Sequence, residues 1–332
     1  MIDRELEEIT HQDRQANKGR VSERVWDDAV RAPINSFPLN GGKQIRAGMI
    51  HSAFRMAGGM GEPPIELLSS IEWLHAGSLV IDDIEDGSEH RRGVPCMHRT
   101  YGVPIALNAG NWMYFQALEL LAALGRKSRY GNRLLETTIR VVKTCHEGQA
   151  LDLATRVDSQ NRRDVYAIAL TISKLKTGGL TGLAARAGAV AAGADPRTCN
   201  AIARFGMHVG ICLQMHNDLS ELAHVTRCGI PKDDLRNARV SWPWAWAARL
   251  MSATDFRRLQ SRYGRAMSNR QSLLPIAEEL YSVSAQHGWA VIVAKLEKHL
   301  QLLGEHVESV ELIHDMELAL APLKTGADAS AR

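Results

Sequence analysis

The feature that most restricts this chain is a spacing. In one segment after another, apolar residues recur three and four positions apart, and runs that alternate apolar with polar are almost absent. "PPIELLSSIEWLHAGSLVIDDIED" carries Ile65, Leu68, Ile71, Leu74, Ser78 and Ile81 down one side. "NAGNWMYFQALELLAALG", "RDVYAIALTISKLKTGGLTGLAARAGAVAAG", "PRTCNAIARFGMHVGICLQMHNDLSELA" and "WAVIVAKLEKHLQLLGEHVESVELIHDMELALAPL" behave alike. That period belongs to helices, so the chain is expected to be all-α. The breaks at "PLNGG", "RRGVP", "GADP", "CGIPKDD" and "SATD" are short, of the kind that join neighbouring helices. None is long or Pro/Ser-rich enough for an interdomain linker, so one domain over residues 1–323 is expected. The tail 324–332, "KTGADASAR", reads as disordered.

Composition removes several kinds of function. With 45% hydrophobic residues in 332 the chain can bury a substantial core. Forty Lys plus Arg against 37 Asp plus Glu give a net charge of +3. That balance offers no broad basic face for nucleic acid or for a membrane surface. The five cysteines, Cys96, Cys145, Cys199, Cys212 and Cys228, are far apart and form no CxxC pair, which argues against a zinc site and a disulfide framework. They read as reduced thiols of a cytoplasmic protein. "MIDRELEEITHQDRQ" has no apolar h-region, and no stretch reaches about 18 uninterrupted apolar residues, so neither a signal peptide nor stable membrane insertion is expected.

Chemistry must therefore come from local clusters, and "LVIDDIEDGSEHRRGVPCMH" holds the most conspicuous one. Asp82, Asp83, Glu85 and Asp86 fall within five positions at the end of an apolar run, and Arg91 and Arg92 follow. Carboxylates this close repel unless something cationic lies between them. On a helix Asp82 and Asp86 share a face one turn apart, with Asp83 three before Asp86. Their oxygens suit magnesium, which keeps waters while bridging protein carboxylates to phosphate oxygens. A solvated helix end is the plain alternative; the arginines, suited to bidentate phosphate contacts, weigh against it.

A second cluster, Asn217, Asp218 and Glu221 in "ICLQMHNDLSELA", has helical spacings of three and four behind another apolar stretch. Two helices ending in oxygen ligands are expected to face each other across a cavity. Cations complement them. "LNGGKQIR" sets Lys43 and Arg46 three apart after a glycine pair and is not a P-loop. His75 lies seven residues, or two turns, before Asp82 on the same face. "KLKTGGLTG" places Lys176 and Thr177 before two glycines, at a helix kink or a close crossing.

Taken in order, "GGKQIR", "LHAGSLVIDDIEDGSEHRRGVPCMH", "EGQALDL", "KTGGLTGLA", "LQMHND" and "DDLRNARVSWP" resemble the trans-isoprenyl diphosphate synthases, and "IDDIEDxxxxRRGxPxxH" is most similar to the eukaryotic-type geranylgeranyl diphosphate synthases. The resemblance spans about residues 35–250. It implies a bundle of antiparallel helices around a central cavity, the isoprenoid synthase fold, usually as a homodimer. It implies that an allylic diphosphate is condensed with isopentenyl diphosphate. Asp82, Asp83 and Asp86 would hold Mg2+ on the allylic diphosphate, with Arg91 and Lys176 gripping the same group. Asn217, Asp218 and Glu221 would form the second metal motif. Lys43, Arg46, His75 and Arg92 would bind the diphosphate of isopentenyl diphosphate, and Gln149, Asp152, Thr177 and Gln214 match further cavity positions. Leaving pyrophosphate, stabilised by magnesium and cations, departs from an allylic carbocation that the acceptor double bond attacks, so no nucleophilic side chain is needed.

Departures from the family pattern are specific. The second motif is usually FQxxDDxxD; here Leu213 replaces the aromatic residue and Asn217 the first aspartate. Ala238-Arg239 stands where the family has Gly-Lys, which keeps the cation and changes its shape. Prenyl transfer to a different acceptor, or a non-catalytic synthase subunit, are the alternatives. The basic set of Lys43, Arg46, His75 and Arg92 argues against the first and the intact "DDIED" against the second. Terpene cyclisation lacks its NxxxSxxxE pattern, because Glu221 stands at the serine position. Product length is read from Ser78 and Gly77, four and five residues before Asp82, where fifteen-carbon synthases commonly carry an aromatic block. With no block there, the resemblance gives the channel floor to Tyr114, Phe115 and His146 and implies a twenty-carbon product.

Overall fold

The computed structural model describes residues 21–38, 45–128 and 130–307 together with Leu320 and Leu323. Lys43, most of the "PLNGG" turn and the tail lie outside them. In chain order the long helices are α1 Ile45–Met56, α2 Ile65–Asp86, α3 Val103–Lys127, α4 Gly131–Ala154, α5 Arg162–Ser173, α6 Gly179–Ala191, α7 Pro196–Cys228, α8 Trp242–Leu250, α9 Ala253–Ser268 and α10 Leu274–Gly304. Among the described residues the only strands are β1 His90–Arg91 and β2 Val94–Pro95, an antiparallel hairpin. The class is all-α, as the apolar period requires. The chain divides into two compact units, Met1–Ile45 with Pro64–Asn132, and Arg46–Pro63 with Arg133–Arg332.

In the first unit α2 packs along α3, and glycine makes the approach possible. A Cβ added to Gly77 would stand 2.7 Å from the Gly110 carbonyl oxygen, and one on Gly110 would stand 2.9 Å from Ile81 Cδ1. Trp73 and Trp112 meet edge to face at 5.9 Å. This crossing turns α2 away from the face its apolar pattern suggests. Leu67, Ser70, Ile71, Leu74, Gly77 and Val80 are buried, whereas Ile65 is exposed and Ser78 and Ile81 are half-buried. Small residues are buried here because backbones meet at them. The helix stops at Gly87, left-handed at φ 65°, where the N–H groups of Gly87 and Ser88 bond the last turn. Arg92 and Gly93, at φ 53° and 83°, then make the two-residue turn of the hairpin.

In the second unit α6 and α7 cross on small residues. A Cβ on Gly206 would come within 2.5 Å of the Ala185 Cβ, and one on Gly188 within 2.3 Å of the Ile50 carbonyl oxygen of α1. The "KTGG" stretch is both kink and crossing: Lys174–Gly178 is a π-helical turn between α5 and α6, and a Cβ on Gly178 would meet the Met207 carbonyl oxygen at 3.1 Å. Trp242, Trp244 and Trp246 of α8 are fully buried, with Tyr166, Phe256 and Tyr263 packed edge-on to two of them. Local signals start the helices: Asp195 accepts from the backbone N–H of Arg197 at 2.8 Å to open α7, and Ser252 from that of Asp255 at 3.1 Å to open α9. None of the five cysteines forms a disulfide, and three of them are buried.

Candidate active site

In the first unit the functional residues belong to α2 and the hairpin that follows it. Glu72, His75, Leu79, Asp82 and Asp86 follow the spacing of one helix stripe, and all five are half-buried. Asp82 and Asp86 are one turn apart on it, as their spacing requires. Asp83 points elsewhere. Its side chain is 4% exposed and receives Arg91 side-on: Nε lies 2.8 Å from both carboxylate oxygens and Nη2 2.5 Å from Oδ1. Asp82 is 3.9 Å from the same Nη2. Burial alone would lower the Arg91 pKa, but the hydrogen-bonded Asp83 carboxylate outweighs it and the pKa is raised. Arg92 donates from Nη1 to the Pro38 carbonyl oxygen at 2.5 Å. Burial and the charge of Arg91 lower its pKa, with Glu72 pulling the other way. Glu72, absent from the expected set, is thus an acidic neighbour of the Arg92 cation. Its signal was present in the sequence, three residues before His75.

The three floor residues are placed differently. Tyr114 is half-buried with its Cδ1 3.4 Å from a Cβ placed on Gly77, but Phe115 is 71% exposed. Adjacent helix positions point about 100° apart, so packing Tyr114 toward α2 turns Phe115 outward. Gly77 also fails to open a passage, because it is filled by the backbone of α3. His146, in the other unit, is exposed on α4.

In the second unit α4, the π turn, α7 and the segment before α8 contribute one connected set. Lys176 Nζ pairs with Asp152 Oδ2 at 2.7 Å, and Arg239 Nη1 donates to the Asp152 carbonyl oxygen at 3.1 Å. Gln149 is one turn before Asp152, half-buried. Thr177 Oγ1 donates to Gln214 Oε1 at 2.7 Å, Gln214 Nε2 to Asp218 Oδ1 at 2.8 Å, and the Trp242 backbone N–H to Asp218 Oδ2 at 2.9 Å. The Trp242 indole N–H continues to Ser173 Oγ at 2.8 Å. Burial pushes the Asp218 carboxyl up to about 7, opposed by the bonds from Trp242 and Gln214 and reinforced by Glu221 and Asp152. Arg46 and Lys176 both act on the Cys145 thiol, which burial drives up to about 11 against their pull. Arg46 thus belongs with Lys176 within this unit.

The second cluster is not at a helix end, contrary to expectation: α7 runs on past Glu221 to Cys228 and stops at left-handed Gly229. Asn217 is exposed and Asp218 buried beside it. Trp242 was missed as a site residue. "SWP" did announce a helix start, with serine before and proline inside the first turn, and such starts offer N–H groups to a carboxylate. Among the described residues no group of three or more His, Cys, Asp or Glu is set to hold a metal ion unaided, and no described helix is long and apolar enough to cross a membrane.

Comparison with known proteins identifies the arrangement. The polyprenyl synthetase family model matches residues 27–280. The chain is similar to the short chain isoprenyl diphosphate synthase of Methanothermobacter thermautotrophicus, 29% identical over 273 residues that cover 82% of this chain and 81% of that one. It is 36% identical over 189 residues to the geranylfarnesyl diphosphate synthase of Aeropyrum pernix, covering 54% of this chain and 57% of that enzyme. Other relatives are named geranylgeranyl and farnesyl diphosphate synthases. The fold is that of the T. brucei farnesyl diphosphate synthase solved with a bisphosphonate, at a TM-score of 0.78 and 19% identity over 98% of each chain. With a family model matching most of its length and helices arranged as in these synthases, the chain belongs to the polyprenyl synthetase family, the trans-isoprenyl diphosphate synthases.

Proposed function

We propose that this prenyltransferase is a cytoplasmic, magnesium-dependent synthase that condenses an allylic diphosphate with isopentenyl diphosphate and releases geranylgeranyl diphosphate. One observation carries the reading: Asp82 and Asp86 stand one turn apart on a half-exposed stripe of α2, beside the Arg91 guanidinium of the following hairpin. Magnesium fits this donor set. Two carboxylates on one helix face, without a complete protein cage, suit an ion that keeps waters and takes substrate phosphate oxygens to fill its shell. Asn217 and Glu221 would offer an amide and a carboxylate oxygen in the second motif. When bound, magnesium would neutralise charge on the departing pyrophosphate. Arg91, fixed on Asp83, would bind the same diphosphate, and Lys176, held by Asp152, would add a second cation. Arg92 and His75 would bind the acceptor diphosphate. The Thr177–Gln214 pair presents oxygen dipoles suited to an allylic cation.

Product length is the finer part of the proposal. The half-buried Tyr114 ring beside Gly77 is the residue suited to stop a growing chain, and Phe115 is not. The exposed Phe115 ring would instead suit the contact of a homodimer, which sedimentation would detect as a weight twice that of the chain, and which Phe115→Glu would weaken. The deciding experiment incubates the pure protein with magnesium, isopentenyl diphosphate and each allylic diphosphate and identifies the products by mass. A twenty-carbon diphosphate is expected. Mainly fifteen-carbon product would overturn the length assignment, and no consumption of isopentenyl diphosphate would overturn the elongation reading in favour of another acceptor or a non-catalytic subunit.

A further inference from the structure

The second unit holds a basic cluster outside the connected set of Lys176, Thr177 and Gln214. Lys174 opens the π turn, α7 packs against both that turn and α10, and α10 lays His299 on the ring of His208 with Lys295 and Lys298 nearby. We propose that Lys174, His208, Lys295, Lys298 and His299 form a binding site for a phosphate group, carried by a free phosphate ion or by a lipid headgroup.

The cluster lacks the acids that balance other cationic surfaces of the chain. On α4, Arg140 and Lys143 stand one turn from Glu136 and Glu147, at 3.9 and 4.0 Å. On α10 the positions three and four away from Lys295 and Lys298 are Val291, Ile292, Ala294, Gln301 and Leu302, or members of the cluster itself. Glu297 is adjacent to Lys298 and two residues from Lys295, spacings at which helical side chains do not face each other. The neighbours of Lys174 and His208 three and four residues away carry no carboxylate either. Among the described residues, Lys174, Lys295 and Lys298 form no ion pair. Three ammonium groups that act on one imidazole also repel one another, which costs stability unless an anion lies among them.

The imidazoles add hydrogen-bond donors. His208 and His299 are half-buried and lie ring on ring, 3.5 Å apart and 11° from parallel. Rings so placed do not both take a charge, and burial with the lysine charges holds them neutral. The Nδ1 atom of His208 is enclosed without a hydrogen-bond partner, which leaves Nε2 as the atom available to a ligand. Ammonium groups only donate, so the complementary ligand brings negative charge and several acceptor oxygens, as phosphate does. A metal ion does not fit, because stacked rings direct their lone pairs side by side and not to a common point, amid three cations.

The test uses the full chain, labelled on histidine and freed of divalent ions with EDTA. Ring signals of His208 and His299 are followed by nuclear magnetic resonance at pH 7 as inorganic phosphate replaces sodium chloride at constant ionic strength. His299→Gln assigns both, since it removes one signal and displaces its stacked neighbour. Both signals should shift saturably with phosphate. Lys174→Gln and Lys295→Gln should each weaken the binding by about threefold, and by about tenfold together, as separate charges near a surface do. Sedimentation with phosphatidylcholine vesicles that contain or lack phosphatidic acid separates the two sources. Saturable shifts without vesicle binding assign a free phosphate, and vesicle binding that requires phosphatidic acid and is weakened by the same lysine variants assigns a headgroup. Shifts or vesicle binding indifferent to both lysine variants overturn the proposal, and so do signals that follow ionic strength alone together with vesicles that do not bind.

Discussion

The first acidic motif closes a helix and the second lies inside one, and the difference decides how each buried carboxylate is held. At α2 the chain stops at Gly87, turns through Arg92 and Gly93, and returns Arg91 to Asp83 within eight residues. The partner is a charge. At α7 the helix continues to Cys228, so Asp218 takes its donors from Gln214 one turn back and from the backbone of Trp242. Those partners are neutral, and burial accordingly drives the Asp218 carboxyl up to about 7. Equal spacing of acids in a sequence thus produces an ion pair in one unit and a neutral hydrogen-bond bridge in the other.

Variants can break or sharpen this contrast. The largest effect belongs to Asp82→Ala, which should lower kcat by about a thousandfold or more where charge stabilisation dominates. Asn217→Ala should lose far less, because a neutral amide is replaced. Steady-state rates with saturating magnesium compare them, and near-normal turnover by Asp82→Ala would remove the first motif from the mechanism.

Stability should separate the buried members next. Asp83→Ala leaves Arg91 partly buried without its carboxylate, at a cost of about 3–5 kcal/mol. Asp218→Ala abandons an amide and a backbone N–H, worth about 1–3 kcal/mol. Urea unfolding measures both, and a reversed order would contradict the ion-pair account.

A smaller change tests the departure in the second motif. Asn217→Asp restores a carboxylate and should lower the magnesium needed for half-maximal rate by about threefold. If activity disappears instead, the asparagine has a task of its own and an alternative acceptor gains weight. Tyr114→Ala should shift the product distribution toward longer chains and Phe115→Ala should not, as mass analysis of the products would reveal; equal shifts from both would reinstate a two-residue floor.

The smallest effect concerns acid. His208 of α7 stacks on His299 of α10 at 3.5 Å, and burial, with nearby lysine charges and, for His208, the charge of His299, lowers both to about 4. A base depressed in the folded state gives stability that is complete above its unfolded pKa, near 6.5, and is lost as pH falls toward 4. Asp218, raised to about 7, acts with the opposite sign, losing stability as pH rises from about 4 toward 7. Replacing both histidines by glutamine should therefore flatten the acid side of the melting-temperature profile by a few degrees, and an unchanged profile would mean the stack does not resist protonation.

Much of this molecule is determined by interactions within four or five residues of each other, and those the sequence states outright. The 3.6-residue period gave the helices, Gly87 and Gly229 their ends, Asp195 and Ser252 their starts, and Asp82 and Asp86 their shared face. The order of the motifs sufficed for the family. What depends on which surfaces meet was not legible. The packed side of α2 runs through Ser70 and Gly77 and leaves Ile65 outside, because backbone contact with Gly110 outweighs the burial of one more apolar side chain. Tyr114 and Phe115 part company for the same reason. The bond from Trp242 to Asp218 joins groups 24 residues apart, and no local pattern encodes the pairing of one particular N–H with one particular carboxylate. Sequence determined which groups are present and on which helices; only the tertiary structure decided which carboxylates are already occupied, since occupancy depends on partners brought near by packing.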